Sequence, residues 1–431
     1  MEYLSVTSRN FKKKLKNFQQ HNLFPENISK VVAGILKDIK HCGDEALFSY
    51  TLKFDQAKIT ARNLRVRKNQ RIASRKALTK HELTQIKKAI ACVREFHSKT
   101  IPQSWLEQNL QGAMVGETFY PIQRVGLYIP GGEVPLASSV VMSAVLAKIA
   151  KVPEVVVATP PQKGGGVNDQ LLAILDLCGV DEIFLMGGAQ AIGSLAFGTE
   201  SITPVDKIFG PGNAYVVEAK RQVFGAVGID LLPGPSEIMV IGDTKANPSY
   251  IAADLLAQAE HGTGKEKVYA VLQGKSLVES VSKELEKQIQ GLLHEEKIKR
   301  VFSSGLLFIE YEKLEQAIAI ANEIAPEHLE LHANESALKK MQKKITTAGA
   351  MLIGENTPTV LGDFTAGPSH TLPTGGTGRF FSGMQLRDFY RRTSIIRYDQ
   401  PSLIKAAPIV ETFSKIEGLD AHGASLLKRL S

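Results

Sequence analysis

From residue 124 onward, short runs of consecutive apolar residues alternate with longer segments whose apolar positions follow a helical spacing. The runs 125–129, 155–158, 183–186 and 207–209 are predicted strands, and helices are predicted over 136–149, 170–178, 190–196 and 214–224. Strands that are apolar throughout, rather than at every second position, are typical of parallel sheets covered on both faces. This part of the chain is therefore predicted to form one parallel α/β unit.

A second series of the same kind follows. Its predicted strands are 238–241, 268–272, 306–309, 328–332 and 350–353, with a helix over 250–257 and a charged, solvent-facing helix over 277–300. The pattern predicts an α/β fold with two tandem doubly wound sheets, Rossmann-like but incomplete, and helical N-terminal and C-terminal extensions.

The predicted division into domains follows from this alternation. Residues 1–24 are assigned to an N-terminal helical arm, and 25–123 with 237–381 to a first, discontinuous α/β domain. Residues 124–236 are assigned to a second α/β domain, and 382–431 to a C-terminal tail. Helices predicted over 28–52 and 81–96 are interpreted as a lid or dimer surface. The loop 361–383, rich in Gly, Pro, Ser and Thr, is too long for a plain connection and is predicted to be functional.

Composition narrows the class of protein. The chain has 431 residues, 43% of them hydrophobic, so it can bury a large core. A surplus of 52 Lys and Arg over 44 Asp and Glu gives a net charge of +8, with basic runs at 12–16 and 65–80. Nucleic-acid binding is the specific alternative, but no aromatic residues are interleaved with these runs, which favours solvated helix faces. No nucleic-acid partner and no membrane association are predicted.

The cysteines and the N-terminus bear on the compartment. Cys42, Cys92 and Cys178 are widely separated, odd in number and without C-x-x-C spacing, which predicts neither a disulfide framework nor a thiolate zinc site. The first residues show no secretion signal, and no apolar run approaches the ~18 residues of a membrane span. A reducing cytoplasm is the predicted location.

Three glycine turns follow predicted strands of the first unit. They are 130–132, 187–190 and 210–213, each between a strand and a helix. The chain lacks a G-x-G-x-x-G sequence opening a helix after a strand, which argues against a standard Rossmann first turn. Ligands of open α/β sheets bind at the carboxyl ends of strands, so three such turns on one edge predict a ligand crevice.

Candidate metal ligands occur in the second unit. Gln258 and His261 are three residues apart at the end of a predicted helix, where an amide oxygen and an imidazole share one face. Zn²⁺ accepts nitrogen and oxygen ligands and needs further ligands from distant segments, for which Asp363 and His422 are candidates. A metal-dependent hydrolase using the same four residues remains an alternative to an oxidoreductase.

Seven ordered motifs closely resemble those of the histidinol dehydrogenase family. They are VGLYIPGG from Val125, GGAQAIG from Gly187, GPGNAY from Gly210, GPSE from Gly234, QAEHG from Gln258, APEHLEL from Ala325 and GDFTAGPSHTLP from Gly362. The resemblance implies a cytoplasmic homodimer that contains zinc, one ion per subunit. It implies oxidation of L-histidinol to L-histidine through an aldehyde, with reduction of two NAD⁺, in the last steps of histidine biosynthesis.

The resemblance also implies a role for each matching position. Gln258, His261, Asp363 and His422 match zinc ligands, and His422 resembles the ligand that the partner subunit lends. Ser236, His328, His370 and Glu417 resemble substrate contacts, as do the four zinc-ligand positions. Tyr128, Gln190 and Asn213 match NAD contacts, and Glu327 and His328 resemble the catalytic pair. The resemblance thus implies that the first predicted domain carries the zinc and catalytic residues, that the domain 124–236 binds NAD, and that the tail 382–431 serves dimerisation.

The chemistry of alcohol oxidation explains the catalytic pair. Removing a hydroxyl proton suits a neutral imidazole, so His328 is the predicted base, and Glu327 is predicted to activate the water that adds to the aldehyde. Both side chains reach one site only if the chain bends at Pro326. Ser369 stands where the family often has asparagine, and the tail after His422 is short. Oxidation of another amino alcohol is the alternative within the family.

Overall fold

A computed structural model describes residues 2–19, 25–131 and 136–430. In chain order, its strands are β1 (Glu2–Ser5), β2 (Trp105–Gln108), β3 (Met114–Pro121), β4 (Arg124–Tyr128), β5 (Glu154–Thr159), β6 (Glu182–Leu185), β7 (Lys207–Phe209), β8 (Gly228–Ile229), β9 (Glu237–Gly242), β10 (Lys267–Gln273), β11 (Leu306–Tyr311), β12 (His328–His332), β13 (Ala350–Ile353) and β14 (Tyr390–Arg397).

The α-helices connect and flank these strands. They are α1 (Phe11–Gln19), α2 (Glu26–Asp55), α3 (Lys68–Ser74), α4 (Lys80–Ser98), α5 (Ala137–Ile149), α6 (Asp169–Leu177), α7 (Gly188–Phe197), α8 (Ala214–Val223), α9 (Pro248–Ala259), α10 (Lys275–Gln288), α11 (Glu295–Gly305), α12 (Leu314–Ile324), α13 (Glu335–Lys344), α14 (Thr359–Phe364), α15 (Gln400–Glu417) and α16 (Asp420–Leu427).

Two parallel sheets organise the molecule, as the alternation of apolar runs and helices predicts. The first has the order β6-β5-β4-β7-β8 and the second the order β1-β11-β10-β9-β12-β13. All strand pairs within both sheets are parallel. The predicted α/β fold with two tandem doubly wound sheets is confirmed.

Helices cover both faces of the six-stranded sheet. Ile238 and Val240 of β9 pack with α9, α10 and α11 on one face, whereas Met239 and Ile241 pack with α1, α12 and α13 on the other. Successive side chains of a strand point to opposite faces, so a strand apolar at every position must be covered on both.

The helical region before residue 100 buries one face against the five-stranded sheet, and its role as a lid or dimer surface stays a prediction. Val32, Leu36 and Ile39 of α2 and Val93 of α4 are buried in the core of the five-stranded sheet. The helices of 25–98 therefore lie against the sheet of 124–229 and not against the sheet of 237–353, with which the predicted grouping joined them. The division into domains itself stays a prediction.

Two sheet features were not predicted. Strand β1 lies within the arm assigned as helical and pairs with β11 at the edge of the six-stranded sheet. Strands β2, β3 and β14 form a separate antiparallel sheet, in which the C-terminal segment pairs with residues 114–121. Strand β2 pairs with its near neighbour β3, but β1 with β11 and β14 with β3 pair across roughly 270 to 305 positions, which local periodicity does not reveal.

The single charged helix predicted over 277–300 is wrong, because the segment forms the two helices α10 and α11. Gly291 lies between them with φ +80°, a left-handed conformation that ends a helix and that glycine adopts without strain. Among the described helices, none combines the length and the hydropathy that a membrane span requires.

Candidate active site

The candidate active site begins at the amino ends of two neighbouring strands. Glu237 is the first residue of β9 and His328 the first of β12, and the two strands pair in parallel with His328 opposite Ile238. Helix α12 ends with Ala325 in the left-handed conformation, φ 52° and ψ 61°. The chain then bends through Pro326 and Glu327 before β12 begins.

The predicted bend brings both catalytic candidates to Glu237. The backbone N–H of Glu237 donates to Glu327 Oε2 at 2.7 Å, and His328 Nδ1 lies 3.2 Å from the carbonyl oxygen of Glu237. Glu327 Oε2 and His328 Nδ1 are 3.7 Å apart. Two adjacent residues therefore reach one location although β12 starts between them.

The contact with Glu237 fixes the tautomer of His328. A carbonyl oxygen can only accept, so Nδ1 must carry the hydrogen, and in the neutral ring Nε2 is left with a free lone pair. This Nε2 is buried and has no hydrogen-bond partner among the described residues. It lies 3.9 Å from Asp363 Oδ1. The arrangement leaves an unpaired proton acceptor facing the candidate site.

Burial sets the protonation of these groups. It lowers the pKa of His328 to about 4, so the imidazole is neutral at neutral pH. Burial, together with the charges of Glu237 and Asp363, raises the pKa of Glu327 well above the ordinary carboxyl value, although the hydrogen bond from Glu237 opposes this. Such a carboxyl is a stronger base than an exposed one.

Asp363 links His328 to His370. Asp363 Oδ1 lies 3.6 Å from His370 Nδ1, and burial raises the pKa of Asp363 to about 6. Burial, followed by the nearby His328 and His261, lowers the pKa of His370 to about 4. His261 also lowers the pKa of His328, which brings this histidine into the same neighbourhood. Three histidines and one carboxylate therefore converge.

Helix α9 carries the other predicted ligand. It begins at Pro248, where the Asn247 side chain accepts a hydrogen bond from the backbone N–H of Ser249 at 2.9 Å. It ends at Ala259, so Gln258 occupies its last turn and His261 the turn that follows. The Gln258 side chain is buried, and its amide nitrogen has no partner among the described residues.

The loop predicted to be functional supplies several of these groups. Its first residues belong to α14, which carries Asp363, and the irregular segment after α14 carries His370. The N–H of Gly375 donates to Glu237 Oε2 at 3.1 Å, which holds the loop against β9. Ser236 directly precedes Glu237 and is partly buried.

Glu417 and His422 lie elsewhere. Glu417 is the last residue of α15 and His422 belongs to α16, and both are exposed. No contact found among the described residues joins either of them to His328 or Asp363 within the chain.

A second polar cluster, which was not predicted, lies beside the first. Among the described residues, only Asp254, Glu330 and His332 meet the geometric arrangement of a metal site, with donor atoms within 4.8 Å of one another. Glu330 Oε1 accepts from the backbone N–H and the hydroxyl of Thr359, both at 2.6 Å. Burial and Glu330 raise the pKa of Asp254 to about 8, so the two carboxyls share one proton.

The second cluster connects the elements that carry the predicted ligands. Thr359 begins α14, and Asp254 lies on α9 one turn before Gln258. Glu330 follows His328 by two residues and faces the same side of β12, which is the one sequence signal that could have revealed it.

A separate cavity of about 780 Å³ opens at the carboxyl edge of the five-stranded sheet. Tyr128, Gln190 and Asn213, the predicted NAD contacts, all line it. The Tyr128 hydroxyl accepts from the N–H of Gly188 at 3.1 Å, and Asn213 Oδ1 caps α8 by accepting from Tyr215 and Val216. The first and second glycine turns contribute Gly131 and Gly188, whereas Gly132 lies outside the described residues.

The third glycine turn is held from behind by a buried ion pair. Gly210 has φ +110°, and a Cβ there would lie 2.2 Å from the carbonyl oxygen of Tyr128. Its N–H donates to Asp230 Oδ2 at 2.8 Å and its carbonyl accepts from Lys220 Nζ at 2.9 Å. Lys220 and Asp230 also pair with each other, and both side chains are buried. Only glycine fits this position.

Comparison with known proteins agrees with the site. The sequence model of the histidinol dehydrogenase family matches residues 19–430. The chain belongs to the histidinol dehydrogenase family. A histidinol dehydrogenase of Heliobacterium mobile is 40% identical over 428 residues, which cover 99% of this chain and 98% of the relative. One of Nitrosospira multiformis is 42% identical over 401 residues, covering 92% and 90%.

A solved structure extends the match to the fold. The crystal structure of histidinol dehydrogenase from Elizabethkingia anophelis superposes with a TM-score of 0.94 at 33% identity, covering 100% of this chain and 98% of that one. The resemblance inferred from the seven motifs is confirmed, and this member of the histidinol dehydrogenase family is an NAD-dependent oxidoreductase.

Proposed function

We propose that the protein oxidises L-histidinol to L-histidine through L-histidinaldehyde, with zinc and two molecules of NAD⁺, in the last steps of histidine biosynthesis. The observation that carries the proposal is His328, whose Nδ1 is held by the carbonyl of Glu237 while Nε2 is unpaired beside Asp363 and His370. A neutral imidazole in this position can accept the proton of a substrate hydroxyl.

The residues present fit a zinc ion. Gln258, His261 and Asp363 offer an amide oxygen, an imidazole and a carboxylate, which are ligand types that Zn²⁺ accepts. The Gln258 side chain is buried and burial raises the pKa of Asp363, so both donors are shielded from water, as ligands of a bound ion would be. The fourth ligand would be the partner subunit's His422. When bound, zinc would hold the imidazole and amino nitrogens of the substrate and fix the reacting carbon. The cluster of Asp254, Glu330 and His332 is less suited, because Thr359 and the shared proton already satisfy its carboxyls.

The remaining roles follow from the residues of the chain. His328 Nε2 takes the hydroxyl proton as the carbon-bound hydrogen leaves as hydride to NAD⁺. Glu327 then takes a proton from the water that adds to the aldehyde, and His328 acts again in the second oxidation. Ser236 and His370, with Glu417, would orient the substrate. Tyr128, Gln190 and Asn213 would hold NAD⁺ in the cavity, which a metal-dependent hydrolase would not need.

A homodimer with a shared site is part of the proposal. Helix α15 carries Glu417 and is followed by α16 with His422, and it exposes large apolar side chains, each at least half exposed: Ile404, Ile409, Phe413 and Ile416. Ile409, Phe413 and Ile416 are spaced by four and three residues and share one face of the helix, and an exposed apolar face of this kind is typical of a subunit interface. A cytoplasmic location stays a prediction, consistent with the three free cysteines.

Zinc removal tests the metal site. Stripping the protein with a chelator is expected to abolish NADH formation from L-histidinol and NAD⁺, and added Zn²⁺ to restore it, because the stripped site cannot position the substrate. In competition with a chromogenic chelator, His261→Asn is expected to weaken zinc binding by at least about 100-fold, since loss of an outer partner alone costs about 10- to 100-fold.

The matched control is His332→Asn, which removes the histidine of the second cluster. It is expected to bind zinc like the unsubstituted protein. Loss of zinc from His332→Asn with retention in His261→Asn would show that the metal occupies the second cluster instead.

Mixed dimers test the origin of His422. His422→Asn and His328→Asn homodimers are each expected to be inactive. After subunits are unfolded together and refolded, about half of the dimers are mixed, and each has one site with both residues intact if His422 acts across the interface. About a quarter of the full activity should return. No recovery, with mixed dimers demonstrated by mass spectrometry, would place His422 in the site of its own subunit.

A further inference from the structure

We infer that Asp55 binds the hydroxyl groups of the adenosine ribose of NAD⁺ and makes the cavity select NAD⁺ over NADP⁺. This inference rests on the proposed NAD site. Asp55 is the last residue of α2, 69 positions before β4, the first strand of the sheet that forms the cavity.

The charge of the cavity wall points to Asp55. Among the described residues that line the cavity, Asp55 is the only carboxylate and Lys163 the only cation. Dinucleotide sites of doubly wound sheets commonly use a carboxylate at the end of the second strand to bind the ribose. Here the crossover from β4 leads to β5, which ends at Thr159 and is followed by two prolines, glutamine and Lys163. The end of β5, where such sites usually carry a carboxylate, therefore has none. Among the described residues that line the cavity, Asp55 is the carboxylate that could take its place.

The end of helix α2 positions the side chain of Asp55 in the cavity wall. Helix α2 ends after Asp55 because Gln56 adopts the left-handed conformation, φ 55°. The following Ala57 and Ile59 are buried, which anchors the end of the helix. Asp55 Oδ1 lies 3.3 Å from the position that a Cβ of Gly187 would occupy, so the carboxylate stands directly against the second glycine turn.

A second acceptor lies beside the carboxylate. The Gln190 amide nitrogen is 3.5 Å from Asp55 Oδ2, and Gln190 is 1% exposed. Its amide oxygen is buried and has no hydrogen-bond partner among the described residues. A carboxylate and an amide oxygen are both acceptors, which suit the hydroxyl hydrogens of a ribose and repel a 2′-phosphate.

The protonation of Asp55 is compatible with this role. Burial raises its pKa to about 6, so the carboxyl is largely ionised at pH 7.5 but poorly solvated. The ion pairs found among the described residues include none that involves Asp55. Besides the amide nitrogen of Gln190, ribose hydroxyl groups would supply further donors to this carboxylate.

Two variants test the inference. Asp55→Asn keeps the size of the side chain and removes its charge, whereas Asp169→Asn makes the same charge change at an exposed residue next to Asn168 of the cavity wall. With L-histidinol as substrate, Asp55→Asn is expected to raise KM for NAD⁺ by about 10- to 100-fold, the usual effect of losing a hydrogen bond to a charged group. Its NADP⁺ to NAD⁺ ratio of kcat/KM should rise at least as much, with little change in kcat. Asp169→Asn should leave both unchanged.

The affinity of the unsubstituted protein for NAD⁺ and for an analogue that lacks one ribose hydroxyl provides a second test. Calorimetry is expected to give an affinity for 2′-deoxy-NAD⁺ about tenfold lower than for NAD⁺, because one hydroxyl donor to Asp55 is missing. Equal affinities for the two dinucleotides would overturn the inference. An unchanged ratio of kcat/KM for NADP⁺ to NAD⁺ in Asp55→Asn would overturn it too. An equal change of this ratio in Asp169→Asn would also overturn it, because the effect would then come from the overall charge of the protein. A protein that binds NAD⁺ with these preferences but forms no NADH from L-histidinol would instead refute the proposed function and support the inference.

Discussion

Replacing His328 by asparagine is expected to lower kcat for L-histidinol oxidation by about 10²- to 10⁴-fold, the usual contribution of a positioned general base. The asparagine amide can still donate to the carbonyl of Glu237, as Nδ1 of the imidazole does. It has no counterpart of Nε2, the buried and unpaired nitrogen that we propose takes the hydroxyl proton. The substitution therefore removes the base and preserves the hydrogen bond that fixes its position.

Rates of NADH formation, with zinc content and melting temperature, distinguish this loss from unfolding. The buried His332, four residues further along β12, provides the control, because His332→Asn makes the same change in the same strand. The rate of His328→Asn should rise with pH, since hydroxide can replace the missing base, whereas a neutral imidazole of low pKa gives a flat profile above neutrality. A kcat within about threefold of the unsubstituted value would exclude His328 as the base.

Replacing Glu327 by glutamine is expected to stop the reaction after the first oxidation. The glutamine oxygen can still accept from the N–H of Glu237, so the backbone contact is kept. The variant lacks the buried carboxylate of raised pKa that we propose activates water. The rate of aldehyde oxidation should fall by about 10²- to 10⁴-fold, whereas the first hydride transfer, which we propose depends on His328, should fall much less.

The two half-reactions can be separated by counting NADH. With a carbonyl-trapping reagent present, Glu327→Gln should give about one NADH for each L-histidinol consumed and accumulate trapped aldehyde. The rate on added L-histidinaldehyde measures the second step directly. Equal losses with L-histidinol and with the aldehyde would contradict a separate role for Glu327 in the second step.

The hydrophobic pattern predicts much of the fold, for a physical reason. Strands buried on both faces, such as β5 and β9, are apolar at nearly every position, and a run of this kind is visible without knowledge of its neighbours. The bounds of β7, β12 and β13 match the predicted runs. Strand β1 shows no such signal, because it is four residues long at the edge of the sheet and buries only Leu4. Its partner β11 begins about 300 residues later.

Some residues of the candidate site could be predicted from the sequence, and others could be found only in the structure. The motifs shared with the family predict Glu327, His328, Asp363 and His370 as site residues, and these four residues lie close together in the structure. The contribution of Glu237 through its backbone N–H and carbonyl could not be predicted, because a backbone contact leaves no trace in residue type. Asp55 is also invisible in the sequence, since a carboxylate at the end of a long helix usually faces solvent.

The most direct test of the account is a count of products on zinc-loaded protein with L-histidinol and NAD⁺. NADH is followed by absorbance, and L-histidinol and L-histidine are quantified by mass spectrometry at the end of the reaction. The account predicts one L-histidine and about two NADH for each L-histidinol consumed. One NADH with accumulating aldehyde, or no NADH from zinc-loaded dimer, would contradict it.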